Sequence, residues 1–251
     1  MQSLKRALAL FEMSADMILI PFHSTCITAQ FICRHKRFSI EAHYQGERIW
    51  AHTNNTGSMM GLLKPGQDIF LSLSPNPKRK LPYTLELVKV HDMWVGVNTL
   101  TPNRILKLAW QQKQVKELLP YNQFLSEVKF GNSRFDACVF NANDKRWIEA
   151  KNVTLVEDDI AAFPDAITTR GQKHLETLIQ IKKSGIDTSL FFFIQRTDGK
   201  CFAPADYIDT VYADLFYDAM HAGVQIWPYQ AVITTEGIGI GQKLDILDKQ
   251  Y

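Results

Sequence analysis

The stretch RWIEAKNVTL, residues 146–155, decides how the second half of the chain is read. Its β-branched and aromatic residues suit a strand, yet Glu149 and Lys151 stand two residues apart inside it. A charge within such a segment costs solvation free energy unless it is exposed, paired or coordinated. Alternate strand residues share a face, so Glu149 and Lys151 project together with Ala150 between them. Just upstream, RFDACVF (134–140) reads as another strand, with Asn141-Ala142-Asn143-Asp144 as the polar turn between the two. That turn sets Asp136 beside Glu149, so that two carboxylates and an ammonium converge on one sheet face.

Outward from this pair, FLSEVKFG (124–131) and the turn Gly131-Asn132-Ser133 complete a three-stranded meander. TPNRILKLAWQQKQVKELL (101–119) has the apolar spacing of an amphipathic helix, opened near Pro102 and ended by Pro120. A second helix is predicted from Arg170 to Lys183 and a third over 206–222. SLFFFIQ (189–195) is a short continuous apolar run and reads as a buried central strand, followed by the strand VQIWPYQAVI. Before residue 100 the pattern is different. CITAQFIC, FSIEAHY, ERIWAHT, DIFLSLS, YTLELVKV and MWVGVNT are strands separated by turn signals, which suits a small five-stranded OB-type barrel. An SH3-like barrel has the same periodicity. The expected organisation is a lead-in over 1–24, an OB-like barrel over 25–100 and an α/β domain over 101–251.

The 251 residues are 46% hydrophobic and 22% charged, an ordinary globular balance. The formal charge of +2 does not mark a nucleic-acid binder, so any such case rests on where the basic residues fall. Cys26, Cys33, Cys138 and Cys201 show no C-x-x-C spacing, and nothing pairs them with histidines in a zinc pattern. Free thiols in a reducing, cytoplasmic setting are expected. The N-terminal apolar run is interrupted by Glu12 and Asp16, so neither secretion nor a membrane span is expected.

Paired carboxylates with open positions suit Mg²⁺ or Mn²⁺, hard ions that take oxygen ligands and keep several waters. Such an ion polarises a phosphodiester and lowers the pKa of a bound water. Lys151 is placed to orient or deprotonate that water, or to stabilise the transition state. Glu127, one strand earlier, adds a further oxygen. The arrangement D-x(12)-E-x-K is the signature of PD-(D/E)xK nucleases. The competing reading is a surface ion pair between Glu149 and Lys151, worth about 0–1 kcal/mol. Downstream, FPDAITTRGQKHLETL offers Thr168 or Thr169 as the cap of a helix whose N-terminus favours phosphate. Arg170, Gln172 and Lys173 lie in its first turn, and His174 reads as structural or surface rather than as a ligand.

The chain resembles the sugar fermentation stimulation protein A (SfsA) family. The resemblance rests on KRF (36–38), NTGSM (55–59), PGQ (65–67), NPKRKLPYTLELV (76–88), VNTLTPNR (97–104), SEVKFGNSRFDACV (126–139), IEAKNVTL (148–155) and FPDAITTRGQKHL (163–175). It implies an N-terminal OB-like domain joined to a restriction-endonuclease-like domain, with Asp136, Glu149 and Lys151 as the metal and catalytic set and Glu127 and Gln172 as neighbours. It also implies DNA binding and an influence on sugar-utilisation genes. Where the family commonly has Cys-Pro before Asn-Thr-Gly, this chain has Thr53-Asn54, and a looser turn is expected there.

The basic residues cluster in two loops. NPKRKLPY holds Lys78, Arg79 and Lys80, and CRHKRF holds Arg37 among its charges beside Phe38. With Tyr44, Trp50 and Tyr83 nearby, a barrel face could stack bases and contact phosphates. The expected partner is DNA, read through its phosphates without strong sequence preference, with RNA as a second candidate.

Overall fold

The computed structural model describes residues 18–59, 61–131 and 133–248. Its first half is a closed barrel. Strands β2 (Ile27–His35), β3 (Ser39–Tyr44), β4 (Glu47–His52), β5 (Asp68–Leu73) and β6 (Tyr83–Val90) pair in the order β4-β3-β2-β5-β6, and a parallel β4–β6 pairing at Ala51↔Tyr83 closes the ring. β7 (Met93–Gly96) pairs antiparallel with β6. Closure leaves no free edge among the five strands. Ile40, Ala42, Ile69 and Leu71 fill the interior by strand alternation, and a bulge in β6 between Leu85 and Leu87 brings both Leu85 and Val88 to the same side. The OB expectation is met.

The second half is built on a seven-stranded mixed sheet. It contains β1 (Ile18–Pro21), β8 (Gln123–Phe130), β9 (Ser133–Phe140), β10 (Lys145–Val153), β13 (Asp187–Ile194), β15 (Gln225–Ile233) and β16 (Gly237–Lys243). Their order is β1-β16-β15-β13-β10-β9-β8. The predicted meander is present as β8-β9-β10, and Asn132 of its first turn lies outside the described residues. Residues 18–21, read as part of a lead-in, form an edge strand of this sheet, and the calls on residues 1–17 lie outside the described residues. A smaller sheet of β11 (Leu155–Glu157), β12 (Ile160–Phe163), β14 (Cys201–Pro204) and β17 (Asp245–Ile246) flanks it.

β13 is the central element because both its faces are apolar. Phe191 and Phe193 pack with Ile148, Trp227, Tyr229 and helix α1 (Thr101–Gln111) on one side. Leu190, Phe192 and Ile194 pack on the other with α2 (Thr169–Lys183) and α3 (Thr210–His221). Each such buried side chain contributes about 1.5–3 kcal/mol.

Two helices are shorter than the periodicity predicts. α1 ends at Gln111 rather than near residue 119, and Lys113 takes a φ of 57°. The run Gln111–Gln114 has no apolar face to bury. Breaking the helix there lets Val115 and Leu118, the latter in a short 3₁₀ turn, reach the core separately. α3 starts at Thr210, four residues later than expected, because Asp209 caps it by accepting the Tyr212 N–H at 2.9 Å. The turn at Thr53-Asn54, which lacks a proline, is held by hydrogen bonds. Asn54 Nδ2 donates to Asn98 Oδ1 at 3.0 Å, Thr99 Oγ1 to the Asn54 carbonyl at 3.1 Å, and Asn55 N to Thr53 Oγ1 at 3.2 Å. Among the described residues the four cysteines are free, and no helix is long and apolar enough to cross a membrane.

Candidate metal and nucleic-acid site

The site forms where the sheet forks. β9 and β10 pair antiparallel only as far as Ala137↔Ile148, whereas β10 stays paired with β13 through Val153↔Ile194. At the first unpaired step the N–H of Ala150, which would otherwise meet a backbone carbonyl, donates to Asp136 Oδ2 at 2.8 Å. A backbone N–H lies near the plane of its sheet, so the Asp136 carboxylate sits in the fork. Its other oxygen accepts from Asn103 Nδ2 on the first turn of α1 at 2.7 Å.

Glu149 is 4% exposed and projects toward α2. Its Oε1 accepts from Lys151 Nζ at 2.7 Å and is in short contact with His174 Nδ1, while Lys151 Nζ and His174 Nδ1 are 3.4 Å apart. Its Oε2 is buried without any hydrogen-bond partner. The surface ion-pair reading of Glu149 and Lys151 therefore does not hold, since their side chains are only 5% and 13% exposed.

The two carboxyls titrate in opposite directions. Burial, followed by the charge of Glu149, raises the Asp136 pKa above the ordinary carboxylate range, against hydrogen bonds from Ala150 and Asn103. Burial also pushes Glu149 upward, but Lys151 and then His174 outweigh it and hold the group below its ordinary value. The hydroxyl of Tyr212, fully buried and without a partner, faces the same charge, and burial, then Glu149 and Asp209, raise its pKa.

The remaining candidates are placed as follows. Gln172 is held away by Asp209, donating from Nε2 to Oδ1 at 2.9 Å and to Oδ2 at 3.1 Å. Glu127 lies on exposed β8 with a φ of 54° and gives its carboxylate to Arg134 rather than to the fork. Arg170 and Lys173 are exposed on the first turn of α2, whose cap is Thr168, accepting the Gly171 N–H at 3.1 Å. On the barrel Arg37, Lys78 and Lys80 are exposed, whereas Arg79 is half-buried and donates to Thr84 Oγ1 at 2.8 Å. Trp50 is 39% exposed on the same domain.

Sequence reasoning did not assign Asn103, Asp209 or Tyr212 to the site, and it read His174 as structural or surface, whereas the side chain is buried against Glu149. The only local signal was the spacing of Gln172 and His174 on the helix that follows the motif. A cleft of about 250 Å³ between the two halves is lined by Asn54, Gly57 and Thr99 of the barrel side and by Asn152, Thr154 and Asp165 of the sheet domain. Ser58 Oγ donates to Asp165 Oδ2 across it at 3.0 Å.

Comparison with known proteins agrees with this architecture. The sugar fermentation stimulation protein RE domain matches residues 100–237, and the SfsA N-terminal OB domain matches residues 32–97. A sugar fermentation stimulation protein homolog of Syntrophobacter fumaroxidans is 55% identical over 91% of this chain and 88% of its own length. A homolog from Maridesulfovibrio salexigens is 51% identical over 93% and 98%. The structure of Pyrococcus furiosus SfsA in complex with Ca²⁺ superimposes with a TM-score of 0.85 at 23% identity, covering 92% of this chain and 100% of that one. The chain belongs to the sugar fermentation stimulation protein family.

Proposed function

We propose that this protein binds DNA through contacts dominated by phosphate and holds a Mg²⁺ or Mn²⁺ ion between Asp136 and Glu149 of its nuclease-like domain. The observation that carries this reading is Glu149 Oε2, a buried carboxylate oxygen with no donor, near enough to the half-buried carboxyl of Asp136 for the two charges to interact. An anionic oxygen in that position is costly unless something positive reaches it. The donors present are hard oxygens, which fit such an ion. The related Pyrococcus furiosus protein, solved in complex with Ca²⁺, supports a hard divalent cation in this fold. When bound, the ion would supply Lewis-acid polarisation of a phosphodiester and acidify a bound water.

The chain's own residues set the rest. Asn103 and the Ala150 N–H orient the Asp136 carboxylate, and His174 and Lys151 orient that of Glu149. Arg170 and Lys173 on α2, with Arg37, Lys78 and Lys80 on the barrel, offer exposed charge to a phosphate backbone. DNA binding of this kind, at genes of sugar utilisation, is the regulatory form of the reading. Four free thiols suit a reducing, cytoplasmic setting.

A second reading is a Mg²⁺-dependent nuclease cleaving DNA or RNA phosphodiesters. It is favoured by Lys151, whose ammonium lies 2.7 Å from Glu149 where it can orient a water or offset developing charge. One set of experiments separates the two. Mn²⁺ uptake by the full chain is measured first, and it is expected to be lost in Asp136→Ala. Unchanged uptake there removes the metal assignment. Labelled single- and double-stranded DNA and RNA are then titrated at several salt concentrations, with and without Mg²⁺. Binding should weaken with salt, the logarithmic slope falling by about 0.9 for each phosphate contact removed at Lys78 and Lys80. Cleavage that needs Mg²⁺ and disappears in Glu149→Ala establishes the nuclease. Binding without cleavage establishes the first reading.

A further inference from the structure

We infer a second metal site, on the outer face of the barrel, built from Cys33, His35 and Glu41 and suited to a transition metal of the Zn²⁺ class. The strand geometry assembles it. A register shift in β2 between Phe31 and Cys33 sets Cys33 directly opposite Glu41 of β3, and His35 follows two residues later on the same face. The three donor atoms form a closed triangle. Cys33 Sγ lies 2.9 Å from His35 Nε2 and 3.3 Å from Glu41 Oε2, and His35 Nε2 lies 2.9 Å from that same oxygen.

Hydrogen bonds alone cannot satisfy this triangle. A thiol and an imidazole N–H supply two protons at most for three edges, and the carboxylate supplies none. If both protons point at Glu41, the sulfur–nitrogen edge is unmatched. If the sulfur is a thiolate, it faces the carboxylate as anion against anion. One cation at the centre satisfies all three donors at once. Tetrahedral Zn²⁺, with bonds of about 2.0–2.3 Å, sets its ligand atoms roughly 3.3–3.6 Å apart. The observed edges would open by about 0.3 Å at sulfur–oxygen, about 0.5 Å at nitrogen–oxygen and about 0.7 Å at sulfur–nitrogen. Sulfur, nitrogen and carboxylate oxygen are also the ligand set that zinc accepts and magnesium does not.

The surroundings fit a site that exchanges with solvent. Glu41 is buried and braced through its other oxygen by Arg48 Nη1 at 3.1 Å, the role of a supporting partner. His35 is 45% exposed at its side chain, and the Trp50 ring packs on it at 5.0 Å. Three protein ligands leave the fourth position to water. A metal here would staple the base of the β2–β3 hairpin whose turn carries Lys36, Arg37 and Phe38, with Lys36 and Arg37 both at positive φ. The site stands apart from the oxygen-rich fork and does not depend on the proposed function.

The test is titration of the chelator-treated full chain with Co²⁺, followed by displacement with Zn²⁺. One equivalent should give the visible bands of four-coordinate cobalt together with a thiolate-to-cobalt charge-transfer band. That band should vanish in Cys33→Ser, which leaves the other three thiols in place. His35→Ala should weaken binding by more than the about 10–100-fold that loss of a supporting partner costs. Asp136→Ala, which removes the oxygen site, should leave the band intact. The inference is overturned if the native chain shows no charge-transfer band, or if Cys33→Ser keeps it. All three side chains lie outside the barrel core, and His35→Ala supplies a second readout should either neighbouring substitution disturb the fold.

Discussion

Asp136 and Glu149 stand one strand apart, and acid acts on them in opposite senses. Burial and the neighbouring negative charge place the folded pKa of Asp136 above its unfolded value. Its contribution to stability is therefore full below the ordinary carboxylate range and is lost as the pH rises through the folded value. Glu149, held low by Lys151 and His174 against burial, contributes fully above that range and loses the contribution as the pH falls. Melting temperatures of the native chain, Asp136→Asn and Glu149→Gln from neutral to acid pH should show this. The native chain gains on Asp136→Asn as the pH falls and loses its lead over Glu149→Gln. Parallel curves would contradict the charge arrangement. Lys151 is the complementary position. Removing one member of a buried ion pair costs about 3–5 kcal/mol, and the remaining His174 contact places Lys151→Met toward the lower end. Adding Glu149→Gln should recover part of that loss in urea unfolding, a coupling of about 0.5–3 kcal/mol. A Glu149→Gln effect of the same size in the native and the Lys151→Met backgrounds would show that the pair carries no energy.

Helices α2 and α3 start side by side, and Asp209 joins them. Its carboxylate accepts the Thr168 N–H at 2.9 Å, the Tyr212 N–H at 2.9 Å and the Gln172 amide, and these bonds offset burial to keep it ionised. Gly171 makes the close approach possible. A Cβ there would meet Thr168 Cγ2 at 2.7 Å and Tyr212 Cε2 at 3.1 Å. In an open helix Gly→Ala gains about 1 kcal/mol, but here the displaced atom belongs to the capping residue. Gly171→Ala is expected to lose about 1–3 kcal/mol in urea unfolding, and Thr168→Ser, which removes that methyl and keeps the hydroxyl, to recover part of it. A stabilised Gly171→Ala would overturn the packing account. Such contacts explain what could be read in the sequence. The barrel strands and β13 were legible because their side-chain patterns are long and regular. β11, β12, β14 and β17 span only two to four residues each, too few for a period to emerge. The pair Gln172–Asp209 joins residues 37 apart, and Cys33-x-His35 gains Glu41 only through strand register. Asp136, Glu149 and Lys151 were visible because one short turn brings their strands together.

The barrel and the sheet domain are not independent units, because one apolar cluster spans both. Phe70 and Leu87 on the outside of the barrel pack with Ile105, Leu106, Phe191 and Trp227 of the second half. Gln195, at the end of β13, fastens the polar side of the same interface. Its carbonyl accepts the Gly96 N–H at 3.0 Å, and its Nε2 reaches the Asn98 carbonyl at 3.2 Å and, in a short contact, Asn152 Oδ1. Calorimetry of the native chain should therefore show one cooperative transition. Gly96 is where that coupling is most easily tested. A Cβ at this position would lie 2.2 Å from Gln195 Oε1 and 2.8 Å from Cδ, and the fully buried amide cannot swing into solvent. Gly96→Ala must push Gln195 off Asn152, the residue that follows Lys151. The expected result is a loss of about 1–3 kcal/mol, a broadened or split transition, and weaker Mn²⁺ uptake at the fork although no ligand has changed. Gln195→Ala in the same background removes the clash but not the broken bonds, so it should restore stability more than metal affinity. Gly96→Ala that melts like the native chain, with Mn²⁺ uptake intact, would mean that the barrel does not brace the site.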